Sequence, residues 1–260
     1  MKVVIIGKRS FLSKELFRNI PNSHLISSKF IKKEDCIKKY ITNNTIYIIN
    51  SFYPLFKILN NNVDNKTMVN QSIIYLINLL NFLSKKKNIK IIYSSTCAVS
   101  KFKTDNFNSR SVYTSIKIVC EQIIKEFCKK RNIKLIIMRL FNLYGGDDKA
   151  SIIYKILNAS KKKPIRINNA GNSKRDFIHV KDVSKIYNNI INSDFSGILE
   201  VGTGKSISLK SLINLNSGKF ILSKKKIKEN RNSKADIKIL SKYINTNNFK
   251  NVKKYIEEKI

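Results

Sequence analysis

The sequence predicts an α/β protein: a doubly wound, mainly parallel sheet followed by a small C-terminal α/β lobe. Three observations carry that expectation. Short β-branched apolar runs recur, KVVIIG at 2–7, TIYIIN at 45–50, IKIIYSST at 89–96 and IKLIIMRLFNLYG at 133–145, and each reads as one buried strand. Stretches with helical periodicity lie between them. Strands that alternate with helices at this spacing pair in parallel through crossovers.

Taken in order, KVVIIG ends in Gly7 and runs into SFLSKELFRNI, whose apolar residues recur at helical spacing. HLIS at 24–27 and TIYIIN follow as strands, and SIIYLINLLNFLSKKK is a helix with a wide apolar face before IKIIYSST. The helix opening at SVYTSIKIVCEQII precedes the strand at 133–145. The first 146 residues therefore read as one doubly wound domain. Residues 147–260, with KKKPIRI, GNSKRDFIHVKDV and LEVGTGKSISL, form a smaller lobe interleaved with the first, because no Gly/Ser/Pro linker separates them. Doubly wound sheets bind ligands at the carboxyl ends of their strands. Gly7, Asn50, Thr96 and Asn142 fall at such ends.

Composition narrows the chemistry. A chain of 260 residues with 42% hydrophobic residues has enough material for a sizeable core. Cys36, Cys97, Cys120 and Cys128 lack metal-ligand spacing, and His24 and His179 are the only histidines, so neither a metal site nor a disulfide framework is expected. No apolar run reaches the roughly 18 residues a membrane span needs, and the N-terminus lacks a signal-peptide pattern, so a cytoplasmic protein is expected. The net charge of +34 raises nucleic acid as a partner. Lysine also accumulates at neutral surface positions such as KKKNIKII, which reads as compositional drift. A basic surface in either case favours anionic substrates.

Tyr113 and Lys117 stand four residues apart, on one face of a helix, where both could reach one reacting group. Tyr53 with Lys57 and Tyr255 with Lys259 share that spacing, so the pair alone decides nothing. Thr96, ending the hydroxyl-rich IIYSST strand one loop earlier, adds a third group for the same cleft. The turn GKRSFLS keeps the first glycine of a dinucleotide-binding bend as Gly7, with Ser10 and Ser13 at the other two glycine positions. The next strand ends in Ser27, Ser28 and Lys29 instead of the carboxylate that holds the NAD ribose, which favours NADP over NAD.

KVVIIGKRSFLS, IIYSST, YTSIK, RLFNLYG and RDFIHVKDV, then LEVGTGKSISL, occur in an order that resembles the extended short-chain dehydrogenase/reductases, a family of nucleotide-sugar epimerases, dehydratases and ketoreductases. The resemblance implies a Rossmann-like sheet, an NAD or NADP cofactor, a nucleotide-sugar substrate and a homodimer. By the same resemblance Tyr113 is the catalytic acid/base and Lys117 its partner, whose ammonium is expected to bring the phenol towards working pH. Thr96 would hold the reacting sugar oxygen. Gly7, Ser10, Phe11, Leu12, Lys29 and Asn70 would join Tyr113 and Lys117 in binding cofactor, with helix capping the competing role for Asn70. Thr96, Asn142 and Arg175 would bind substrate, a salt bridge to Asp176 or Asp182 being the competing role for Arg175. His179 and Asp182 read as structural. Family dehydratases carry an Asp–Glu pair after the threonine, whereas Cys97 and Ala98 stand here, which argues against dehydration. The expected activity is 4-ketoreduction or 4-epimerisation by hydride transfer. The alternative is a catalytically idle member of the fold that binds RNA or another partner through its basic surface.

Overall fold

The computed structural model describes residues 1–50, 64–101, 109–162, 164–216, 220–222 and 232–260. Tyr53 and Lys57 lie outside the described residues. The chain forms two compact units, one of Met1–Arg139 with Ile190–Leu199, the other of Leu140–Asn189 with Glu200–Ile260.

The first unit is built on the strand–helix alternation. Strands β1 (Lys2–Ile6), β2 (Ser23–Ile26), β3 (Thr45–Ile49), β4 (Lys90–Thr96), β5 (Lys134–Leu140) and β9 (Gly197–Val201) make one sheet in the order β2-β1-β3-β4-β5-β9. β1 pairs in parallel with β2 and β3, and β3 with β4. Every residue of β3 is buried, as is β4 from Lys90 to Ser95. Covering both faces of a parallel sheet is what turns these strands into unbroken apolar runs. The connections are α1 (Phe11–Asn19), α2 (Glu34–Lys38), α3 (Asn65–Val69), α4 (Tyr75–Leu83) and α5 (Ser109–Lys130). Leu76, Leu79, Leu80 and Leu83 of α4 and Ile116, Cys120 and Ile124 of α5 pack with Val4, Tyr47, Ile91 and Tyr93 of the sheet into one core.

Two local features depart from the sequence reading. The segment at 133–145 is not one strand. It divides at Phe141, whose N–H donates to Val201 O at 3.0 Å, and Asn142–Tyr144 continues as β6 in a different sheet. The apolar helix before β4 also starts earlier than its periodicity suggests, at Asn65, capped by Asp64, whose carboxylate accepts the Thr67 N–H. Between α3 and α4 the chain widens into a π-helical turn, Asn70–Ile74.

The second unit holds the three-stranded sheet β10-β8-β6, formed by β6, β8 (Lys174–His179) and β10 (Ser206–Ser208). A two-stranded pair joins β7 (Ile165–Ile167) and β11 (Phe220–Leu222) in parallel. Its helices are α6 (Ile152–Leu157), α7 (Val180–Ile191), α8 (Leu209–Ile213) and α9 (Val252–Glu257). Tyr144, Phe177, Leu209, Leu212, Val252 and Ile256 belong to its core.

Candidate active site

The switch in strand order falls between β1 and β3, with Gly7 at the end of one strand and Asn50 at the end of the other. Gly7 adopts φ 120°, a backbone conformation that a side chain would disfavour. Its N–H and that of Lys8 both donate to Ile26 O, which tethers the turn to β2. The Asn50 amide, itself buried, donates to Ser10 Oγ at 3.3 Å and Ser13 Oγ at 2.8 Å. The two serines at glycine positions are thus held from the neighbouring strand. Ser10 makes no side-chain cap on α1, so its hydroxyl leaves the first-turn N–H groups of Phe11 and Leu12 uncapped. An oxygen that accepts from Asn50 also keeps its own proton to donate. A dinucleotide pyrophosphate fits this end of the sheet, because such an anion is what uncapped N–H groups at a helix start accommodate.

Lys29 is exposed in the short turn after β2, where its N–H donates to Ser27 Oγ at 3.2 Å. Asn70 is exposed at the start of the π-helical turn and does not head a helix, since that place belongs to Asp64. Two residues further on, Ser72 lines a small, partly enclosed cavity of about 20 Å³ together with Asn50, Tyr93, Tyr113, Lys117 and Cys120. Inserting one residue into a helical turn rotates the side chains that follow, and the hydrophobic period by itself does not reveal it.

α5 brings Tyr113 and Lys117 to this cavity. Lys117, 6% exposed, donates to Ser94 O at 2.8 Å and to Tyr93 Oη at 3.2 Å, and its Nζ lies 4.6 Å from the centre of the Tyr93 ring. Burial pulls its ammonium down to about 8, against the opposing pull of Cys120 and Glu121. Tyr113 is half-buried and behaves contrary to expectation. Burial raises its phenol above the usual range, and Cys97 and Cys120 push it the same way. The Lys117 ammonium donates to Tyr93 and Ser94 beside the same cavity.

Thr96 stands at the end of β4, half-buried, and its Oγ1 accepts the Ala98 N–H at 3.3 Å. A buried network secures this strand end. Glu121, one turn beyond Lys117 on α5, accepts Ser95 Oγ at 2.5 Å and Arg139 Nε at 3.2 Å on Oε1, and Arg139 Nη2 at 2.7 Å on Oε2. Arg139, near the end of β5, donates through Nη1 to Ser100 Oγ at 3.2 Å. Two α5 residues four apart therefore stitch the helix to Tyr93, Ser94 and Ser95 in succession. Neither Tyr93 nor this ion pair was visible in the motifs, because both depend on which side chains face one another across elements.

In the second unit, the Asn142 amide donates to Asp176 O at 2.7 Å. The Asp176 carboxylate is fully buried and accepts from Thr203 N, Thr203 Oγ1, Gly204 N and Ala235 N. The Asp182 carboxylate accepts from Lys250 N at 2.8 Å and faces Lys185 at 3.8 Å. Arg175 lies half-buried on β8. His179 packs against the Tyr144 and Tyr255 rings, and any Cβ at Gly145 would stand 2.2 Å from its Nε2. Burial lowers its imidazole to about 4, with Lys250, Lys181 and Lys185 adding.

A doubly wound sheet in this order, with a glycine bend at its switch point, defines the class as a Rossmann-like α/β protein. Residues 4–202 match the model of the NAD-dependent epimerase/dehydratase family, and the chain belongs to that family. Solved structures share its fold. A UDP-N-acetylglucosamine 4-epimerase from Methanobrevibacter ruminantium M1 is similar with a TM-score of 0.75 and 21% identity over 99% of this chain and 95% of that one. An NAD-dependent NDP-hexosamine 5,6-dehydratase involved in tunicamycin biosynthesis gives 0.80 and 16% over 98% and 95%. A UDP-glucuronic acid 4-epimerase from Bacillus cereus, solved with UDP-glucuronic acid and NAD, gives 0.72 and 18% over 99% and 97%. At these identities the likeness is one of fold. Among the described residues no helix is long and apolar enough to cross a membrane, and no cluster of three His, Cys, Asp or Glu could hold a metal ion.

Proposed function

We propose that this chain is an NAD(P)-dependent oxidoreductase or epimerase of a nucleotide-linked sugar, working at C4 through Tyr113, Lys117 and Thr96. The observation that carries the reading is the Lys117 ammonium, buried beside Tyr113 at the end of β4 and held by Ser94 O and Tyr93 Oη. A buried lysine is costly unless it is used or paired, and here it lines a cavity together with a phenol. A bound nicotinamide dinucleotide supplies the hydride acceptor or donor. The N–H groups of Phe11 and Leu12 and the Ser10 hydroxyl would hold its pyrophosphate, and Lys117 its ribose.

Thr96 would hold the sugar's reacting oxygen by its hydroxyl, and Tyr113 would exchange a proton with that oxygen. A phenol kept above its usual range arrives protonated, the state required to protonate a developing alkoxide. The missing acid after β2 leans the proposal towards ketoreduction, with epimerisation kept beside it. Cys97 and Ala98 offer no carboxylate for removing water, so dehydration is not part of the proposal. Asn142 and Arg175 are assigned to the substrate, Arg175 to its pyrophosphate by bidentate hydrogen bonding. NADP is preferred to NAD, with Lys29 and the Ser27–Ser28 turn nearest the 2′-phosphate in this reading. A cytoplasmic homodimer completes the proposal. Val69, Ile74, Ile77 and Val119 are exposed apolar residues on α3, the π-helical turn, α4 and α5, and they suit a buried partner face.

Calorimetric titration with NAD, NADH, NADP and NADPH, followed by turnover assays on UDP- and dTDP-linked 4-keto sugars, tests the reading. Tighter NADP(H) binding and hydride transfer are expected. Equal or tighter NAD(H) binding would remove the NADP preference. No binding of any form would end the enzyme reading, and tight nucleic-acid binding that survives physiological salt would replace it with the idle-fold alternative.

A further inference from the structure

We infer that Tyr93 is a positioning residue that aims the Lys117 ammonium at the Tyr113 cavity. Tyr93 sits on β4 opposite Ile49 of β3, three residues before Thr96, and is 3% exposed. It meets Lys117 in two ways at once. Its hydroxyl accepts an ammonium proton at 3.2 Å, and its ring lies 4.6 Å from Nζ. The ring face attracts the cation, and the hydroxyl fixes the azimuth of the NH₃⁺ group. Ser94 O takes a second proton at 2.8 Å. An ammonium has three protons, and with two assigned to fixed acceptors the third is left for the cavity that Lys117, Tyr93 and Tyr113 all line.

Among the described residues the titratable groups around this ammonium are few. Cys120 and Glu121 act on it from α5 and Tyr93 bonds it from β4, while Tyr113 and Ser72 line the same cavity. Cys120 donates to Ser72 O at 3.5 Å, and burial keeps its thiol above the usual range. Of these neighbours Tyr93 is the one bonded directly to Nζ through a side chain. Removing its hydroxyl deprives the charged form of an acceptor, which disfavours protonation. Removing the ring as well takes away the cation–π contact.

This inference rests on the reading of Lys117 as the active-site lysine, and its test is chosen to stand apart from activity. The Lys117 ammonium is titrated by ¹⁵N-lysine NMR in the ligand-free protein, its resonance assigned by loss in Lys117→Met. Wild type is compared with Tyr93→Phe, which keeps the ring, and Tyr93→Leu, which does not. The Lys117 protonation constant is expected to fall about tenfold in Tyr93→Phe and further in Tyr93→Leu. In turnover assays the high-pH limb of kcat should move to lower pH in the same order, with Thr96-dependent substrate KM changing little, a pattern that a general packing defect would not produce. Unchanged Lys117 titration in both variants overturns the inference. Should Tyr93→Leu fail to fold, Tyr93→Phe alone carries the test. A chain that turns over no nucleotide sugar would sink the proposed function, yet the NMR titration would still decide the role of Tyr93.

Discussion

The Glu121–Arg139 pair offers the sharpest quantitative test of how the α5–β4 junction is held. Its carboxylate side chain is 2% exposed and its guanidinium side chain 17%, with two hydrogen bonds between them. Breaking a buried pair from one side leaves an uncompensated charge and costs about 3–5 kcal/mol. Arg139→Met strands the fully buried Glu121 and should cost about 3 kcal/mol, the lower end because one end of the arginine reaches solvent. For a chain of this size that corresponds to a melting point lower by roughly 6–12 °C. Glu121→Met should cost about the same, since Arg139 still has Ser100 and some solvent access but the Ser95 hydroxyl loses its acceptor. The double variant replaces the pair by apolar side chains of similar length, a change that is often close to neutral. Its remaining cost is the Ser95 hydroxyl left without its 2.5 Å acceptor, about 1–2 kcal/mol. Thermal and urea unfolding followed by circular dichroism should therefore show a double variant more stable than either the sum of the singles or Arg139→Met alone. Lys134→Met, which breaks the pair with the fully exposed Asp194, is the control and should leave the midpoint unmoved. Single-variant costs that simply add within about 0.5 kcal/mol, or an Arg139→Met as harmless as the control, would refute the account.

Tyr113→Phe should lower kcat by about 10²- to 10⁴-fold with little change in cofactor affinity, measured by steady-state kinetics and calorimetry. Tyr255→Phe, the decoy with the same spacing to a lysine, should leave turnover near wild type, because its ring packs edge-on against Tyr144 and His179 in the second unit. Equal damage from the two would undo the site assignment. A pH dependence follows from His179, whose imidazole is held down to about 4 by burial against an unfolded value near 6.5. A depressed folded value means that the unfolded state takes up the proton first as pH falls. The stability is therefore intact above about pH 6.5 and is lost progressively down to pH 4, by roughly 3 kcal/mol in all. Urea midpoints between pH 7.5 and 4.5 check this, with the slope expected to flatten in His179→Asn; an unchanged slope would show that His179 does not carry it.

Much of the architecture was legible from local pattern. KVVIIG, TIYIIN and IKIIYSST are unbroken β-branched runs because both faces of a parallel sheet are covered, and β1, β3 and β4 are buried accordingly. The one-turn spacing of Tyr113 and Lys117 on a helix was equally local, since helical geometry alone puts residues four apart on the same face. Periodicity reports that a face is buried, but not what it is buried against. The tertiary structure alone divided 133–145 between two sheets, because the Phe141 N–H finds its acceptor at Val201, 60 residues later. It also put Asn50 across from Ser10 and Ser13, where glycines had been missed, at separations of 40 and 37 residues. Burial, together with Cys97 and Cys120, set the direction of the Tyr113 proton affinity against the expectation drawn from its neighbouring lysine. Lys117 turns to Tyr93 and Ser94, 24 and 23 residues away, because a buried ammonium takes the acceptors the fold presents and not those nearest in sequence.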